Sequence, residues 1–127
     1  MEPVAVVILL ALIEYVAFGM LVGRARGKYG VHAPAVAGHE VFERYFRVHQ
    51  NTLEMLVVFV PAMWLFGTYV DPTWAAVLGL VYVVGRILYL RGYVADPAKR
   101  EIGFGLSVLP VIALLLGALW GAGRQLL

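Results

Sequence analysis

Residues 42–67 read FERYFRVHQNTLEMLVVFVPAMWLFG. From Leu56 onward the run is as apolar as a lipid tail, whereas the first half carries Glu43, Arg44, Arg47, His49, Gln50, Asn51 and Glu54. Length and hydropathy make the whole a membrane-crossing helix. A charge deep in such a helix costs on the order of 2.5–3.5 kcal/mol even on the lenient insertion scale, so the polar half needs a partner helix or a hydrated pocket.

Composition extends this reading to the whole chain. Of 127 residues, 62% are hydrophobic and 14% charged, and the mean hydropathy is +0.85. Soluble domains are nearer ~45–50% apolar, so an integral membrane protein is expected. The formal charge of +2 is small and its basic residues fall in two short segments, which argues against nucleic acid as a partner. With no cysteine there is neither a disulfide framework nor a cysteine nucleophile, and any thiol chemistry must come from a ligand.

Four apolar segments, Pro3–Gly23, His39–Gly67, Thr73–Tyr93 and Glu101–Gly123, each approach or exceed the ~20 residues that a spanning helix needs. None shows the alternation of a barrel strand. The prediction is an all-α bundle of four transmembrane helices, one domain over residues 1–127, with Pro61 and Pro110 kinking their helices. The first segment lacks a basic leader and is interrupted by Glu14, so it is expected to be a retained helix and not a signal peptide. The connections GRARGKYGVHAPAVAG and RGYVADPAKRE are basic, whereas GTYVDPTW carries only Asp71. The positive-inside rule therefore places the first and third loops in the cytoplasm and both termini opposite, with Arg124 a contrary charge. Short length and the lack of targeting signals fit a bacterial cytoplasmic membrane.

Arg47, Asn51 and Glu54 are spaced i, i+4, i+7 and share a stripe that Arg44, Tyr45 and Phe42 extend toward the first loop. At ~1.5 Å per residue Glu54 lies about 10 Å deeper than Arg47. Tyr82, Arg86, Tyr89 and Tyr93 form a second stripe on the third segment, running toward the same end. If the stripes face each other, Glu54 pairs with Arg86, and Arg47, Asn51, Tyr89 and Tyr93 line an opening suited to a small zwitterionic, polyanionic ligand. A purely structural reading is also open: a buried ion pair fixing helix register, Asn51 as interhelical glue, and tyrosines as an interfacial belt.

The combination FERYFRVHQNTLE, GRILYLRGY and PAKR resembles the MAPEG family, the membrane-associated proteins in eicosanoid and glutathione metabolism. The resemblance runs from about Arg24 to Gly105 and is nearest to the microsomal glutathione S-transferases of the third type. It implies a homotrimer of four-helix protomers that binds glutathione as co-substrate between neighbouring subunits. It places Arg47, Asn51, Glu54, Arg86, Tyr89 and Tyr93 on glutathione-contacting positions, with Arg26 supplied by the adjacent subunit. His49 falls where a relative has a glutamine reaching across that interface. Arg100 matches the arginine that stabilises the glutathione thiolate. The implied reaction is conjugation to a lipophilic electrophile arriving from membrane lipid, with hydroperoxide reduction by the same thiolate as a second expectation. A non-catalytic scaffold or lipid-binding protein of the same fold is the alternative. Met55 stands where a related synthase branch has tyrosine, and Val57 replaces a proline, so that branch's lipid specificity is not inferred.

Three further features carry weaker expectations. Glu14 is read as paired with a neighbouring protomer or held in a core hydrogen bond. His32 and His39 lack metal-ligand spacing, and no metal is expected. GFGLSVLP, residues 103–110, is read as a close-packing face of small residues and not a phosphate loop.

Overall fold

The computed structural model describes residues 1–127 and is entirely helical. Four long helices run Glu2–Tyr29 (α1), Glu40–Tyr69 (α2), Pro72–Ala95 (α3) and Glu101–Gly123 (α4), with single 3-10 turns at Pro97–Lys99 and Arg124–Leu126. All four are long and apolar enough to cross a membrane.

Local chemistry sets each boundary. α1 continues six residues beyond the predicted Gly23, so Arg24, Arg26 and Lys28 are helical and not in a loop. Hydropathy marks where a span ends, but Ala, Arg and Lys are good helix formers and carry the helix past that point. It stops only at Gly30, whose φ of 68° and ψ of 30° are left-handed and whose N–H donates to the Arg26 carbonyl. At the start of α2 the His39 ring accepts from the Val41 N–H at 3.1 Å, while Glu40 and Glu43 occupy the first turn, where the macrodipole favours acids. Asp71 caps α3 by accepting from the Trp74 N–H at 2.8 Å, and Pro72 fills the first turn, where no N–H is missed. α3 ends before Pro97, which disfavours a helical residue at Asp96. Pro61 and Pro110 both lie inside continuous helices.

α2 and α3 form the middle of the bundle and each packs on the other three helices, while α1 and α4 scarcely meet. The main core joins Val4, Val7 and Ala11 of α1 to Phe59 and Met63 of α2, Tyr82 of α3, and Leu114 of α4. The Phe59 and Tyr82 rings stack with centroids 3.9 Å apart. The outside is apolar too: Ile13, Met20, Trp74, Leu109 and Leu119 are all exposed, as expected where the surrounding solvent is hydrocarbon. The buried polar side chains are Glu14, Thr52, Arg86 and Ser107.

The predicted small-residue face holds α3 against α4. A Cβ on Gly85 would meet the Leu106 carbonyl carbon at 2.7 Å, and one on Gly103 would overlap the Tyr89 backbone, whereas Gly105 has nothing within 4 Å. Gly85→Ala is therefore expected to cost ~1–3 kcal/mol by overpacking, read as a lower thermal midpoint in detergent. Gly105→Ala should leave that midpoint unchanged or slightly raised.

Candidate functional site

Where α2, α3 and the start of α4 converge there is an open cavity of about 540 Å3, lined by Arg47, Asn51, Tyr89, Tyr93, Arg100, Glu101 and Phe104. Five of these are positions singled out from the sequence. The helical stripes of α2 and α3 do face one another, and the 3-10 turn after α3 folds Arg100 back to the same opening. There Arg100 Nη1 donates to the Pro97 carbonyl at 2.9 Å.

Arg86 forms the floor and is 0% exposed. Its Nε donates to Ser107 Oγ at 3.1 Å, and its Nη1 donates to Asn51 Oδ1 at 2.8 Å and Thr52 Oγ1 at 3.3 Å. Both hydroxyls give their own protons to backbone: Thr52 to the Val48 carbonyl at 2.8 Å and Ser107 to the Gly103 carbonyl at 2.7 Å. Their lone pairs are thereby left for the guanidinium, which has donors only. Asn51 is oriented in the same way. With Oδ1 spent on Arg86, its NH2 is the donor available to the cavity. The Arg86 guanidinium also lies 4.3 Å from the Tyr89 ring centroid, a cation–π contact that fixes the tyrosine at the pocket wall. Tyr89 leans on Tyr93 at 5.6 Å and on Phe104 at 6.2 Å between ring centroids.

The expected Glu54–Arg86 pair is not formed. Glu54 instead accepts from Arg47 at 3.5 Å, on a face of α2 where the two side chains are 61% and 56% exposed. The buried acid is Glu14 of α1, and it forms no ion pair with Arg86 either. Glu14 is buried, and both of its oxygens, together with the Tyr82 hydroxyl and Arg86 Nη2, have no hydrogen-bond partner within the protomer. The spacing placed Glu54 on the right stripe, but seven residues along a helix do not fix which neighbour lies opposite. Tyr82, on the α3 stripe, points into the core against Phe59.

Other predicted positions lie off this protomer's cavity. Arg26 donates to the Ala35 carbonyl at 2.6 Å and sits over the Phe42 ring at 4.8 Å. His49 stacks on Tyr15 of α1 at 4.4 Å, on the opposite side of α2 from Asn51. Phe42 is buried in a small core with Val22 and Val31, so it does not extend the polar stripe. Arg44 binds Glu40 at 2.5 Å and donates to the Val94 carbonyl at 3.0 Å, closing the C-terminal end of α3. Thr52, Ser107, Glu101 and Phe104 were not singled out. Ser107 is a lone hydroxyl in an apolar run, and Thr52 sits among the polar residues of α2, off the stripe of Arg47, Asn51 and Glu54. No group of three or more His, Cys, Asp or Glu converges anywhere.

The sequence signature of the MAPEG family matches residues 4–120. The chain belongs to the MAPEG family. It is an integral, multi-pass membrane protein of that family. An uncharacterized protein of Synechocystis is 50% identical over 115 residues, 91% of this chain and 84% of the relative. Human microsomal glutathione S-transferase 2 is 48% identical over 104 residues, 80% of this chain and 70% of the relative. Guinea pig leukotriene C4 synthase is 36% identical over 96 residues, 76% of this chain and 64% of the relative. The transferases among these relatives are of type 2, a label neighbouring the third type that the motifs resemble.

Arg86→Met should leave Asn51, Thr52 and Ser107 without their cation and cost about 3–5 kcal/mol, the range for breaking a buried charge network. Glu54→Ala should leave stability close to wild type, because its ion pair is exposed. Thermal unfolding of both variants in one detergent measures the contrast, and a reversed order would restore Glu54 as the partner of Arg86.

Proposed function

We propose that this MAPEG protein is a membrane-bound glutathione transferase that uses the Arg47–Arg100 cavity to bind glutathione and activate its thiol. The supporting observation is the convergence of Arg47, Asn51, Tyr89, Tyr93 and Arg100 on one cavity, backed by relatives named as glutathione S-transferases. At about 540 Å3 the cavity is within the ~300–1,000 Å3 of ordinary small-molecule sites.

Arg47 and the Asn51 amide offer donors to the carboxylates of the tripeptide, with the tyrosine hydroxyls beside them. Glu101, at the rim, offers a carboxylate to its ammonium group. Arg100 lies at the mouth, where its guanidinium favours the thiolate over the thiol. The thiolate then attacks a lipophilic electrophile arriving from the hydrocarbon and forms the carbon–sulfur bond as the leaving group departs. Holding the two reactants at a phase boundary is itself a catalytic contribution, since each partitions away from the other. With a lipid hydroperoxide the thiolate attacks the O–O bond instead, and a second glutathione completes reduction to the alcohol, water and glutathione disulfide.

Arg47 and Glu54 are exposed on a spanning helix, where charge facing lipid is costly. The reading covers them in a homotrimer, in which Glu54 and Arg26 act at the seam between copies. His49, stacked on Tyr15 on the other side of α2, would act only across the interface between copies. The basic ends of α1 and α3 are placed on the cytoplasmic side of a bacterial membrane, so the pocket opens to the glutathione supply.

Arg100→Ala sets the test. A thiol of pKa about 8.5 is only about 3% ionised at pH 7, so full activation is worth at most roughly 30-fold in thiolate concentration. The variant should bind glutathione nearly as well as wild type. Its kcat/KM toward an aromatic halide should be ~10–30-fold lower at pH 7, and the deficit should shrink toward pH 9 as free thiol ionises unaided. A deficit independent of pH would remove Arg100 from thiol activation. Failure of the wild type to bind glutathione would sink the transferase reading, and binding without conjugation or peroxide reduction would favour the scaffold alternative.

A further inference from the structure

On the side of α2 away from the glutathione pocket, α1 and α3 leave a cleft over Tyr45. Two adjoining cavities of about 130 and 280 Å3 share Leu21 and Tyr45 as their common wall. Arg24 and Lys28 of α1 line the first, Arg91 of α3 lines the second, and no acidic side chain lines either. Tyr45 precedes Arg47 by two residues, about 200° around the helix, so the cleft and the pocket lie back to back.

The three cations donate no hydrogen bond to another side chain, and only Lys28 has an aromatic contact, its Nζ lying 5.5 Å from the Tyr29 ring centroid. Arg24, Lys28 and Arg91 are exposed, and none is in an ion pair. The other arginines near this end are committed: Arg26 to carbonyls, Arg44 to Glu40 and α3, Arg47 to Glu54 and Arg100 to Pro97. The helix macrodipole accounts for Lys28, in the last turn of α1. It does not account for Arg24 or Arg91, since the last turn of α3 holds no basic residue and the dipole effect fades within one turn.

We propose that this cleft binds the headgroup of an anionic phospholipid. The phosphate would sit among Arg24, Lys28 and Arg91 at the membrane surface, where basic pockets between spanning helices recognise anionic headgroups. The glycerol and upper acyl chains would lie on Leu21, Leu90 and Tyr45. Exposed Val16 and Met20 on α1, and Val84 and Ile87 on α3, continue apolar surface toward the bilayer centre. A soluble phosphate would find the same cations but could not use the apolar wall beneath them. The occupant is therefore a lipid, and the site is independent of whatever the Arg47–Arg100 pocket binds.

The full-length protein in neutral-detergent micelles is titrated with fluorescent phosphatidylglycerol, followed by anisotropy, against phosphatidylcholine of the same chains. Saturable binding is expected for phosphatidylglycerol and weak binding for phosphatidylcholine. Arg24→Gln/Arg91→Gln should weaken it roughly 30-fold, the equivalent of about 1 kcal/mol for each of two cations near an anionic headgroup. Arg24→Lys/Arg91→Lys should retain most of it, and the charge-matched Lys99→Gln/Arg124→Gln should retain all of it. Equal binding of the two lipids, or equal weakening by the two glutamine pairs, overturns the proposal in favour of general surface charge. Displacement of the lipid by millimolar inorganic phosphate overturns it in favour of a soluble-anion site. Helical circular dichroism confirms that each variant is folded.

Discussion

One guanidinium organises the bundle. Arg86 is fully buried in a helix that crosses the membrane, where an uncompensated charge is among the costliest features a protein can hold. Its compensation is divided among neighbours: Asn51 and Thr52 from α2 and Ser107 from α4. Two helices thus combine with α3 to keep one cation inside. Sliding any of them along its axis would strip a partner away, so the interaction that makes Arg86 tolerable also sets the register in which α2, α3 and α4 meet. Glycine makes this possible sterically. Ser107 reaches Nε only because α4 lies against α3 at Gly85 and Gly103, where a methyl group would collide with backbone.

The same arrangement divides α2 into faces with different tasks. Val48, Thr52 and Phe59 are fully buried and tie the helix to the core. Arg47, Asn51 and Glu54 lie on the side of the cavity and of the exposed ion pair. Tyr45 and His49 turn toward α1 and its cleft with α3. A helix turns through about 100° per residue, so three chemistries fit within Tyr45–Asn51 with little interference. Asn51 connects two of them. Its carbonyl serves the buried arginine and its NH2 faces the cavity, so the orientation of a ligand-facing donor is set by a structural hydrogen bond. Tyr89 is held from beneath in a comparable way, its ring fixed by the Arg86 guanidinium and its edge by Phe104.

How much of this was legible in the sequence depended on the range of each signal. Hydropathy and length gave four spans, and the α4 limits agree with the structure. The α1 end was missed because helix propensity outlasts apolarity through Arg24–Tyr29, and only Gly30 stops it. The stripes on α2 and α3 were readable because spacing within a helix is local, and they do converge. Which groups meet Arg86 was not readable, since that depends on the relative height and rotation of separate helices. Glu54 was assigned from spacing along one axis, while Thr52 and Ser107 meet Arg86 from two. Thr52 and Ser107 escaped notice because a single hydroxyl, whether beside a polar stripe or within an apolar run, announces nothing until a charge is placed beside it. Their usual occupation, donating to a carbonyl one turn back, is the property that turns them into acceptors for Arg86.

The two acids also show why burial and function separate in this bundle. Glu14 lies inside with no hydrogen-bond partner in the protomer, and it forms no ion pair there. Glu54 lies outside, with Arg47 as its partner at 3.5 Å and much of both side chains uncovered. Such a pair contributes little to the fold of the protomer, and it is a poor surface to present to hydrocarbon. A fold that keeps an expendable ion pair at membrane depth, while sealing Arg86 in its core with Asn51, Thr52 and Ser107, has placed that pair where something else must meet it. That is the physical reason for assigning Arg47 and Glu54 to recognition, and Arg86 to the framework that holds Asn51 and Tyr89 at the cavity wall.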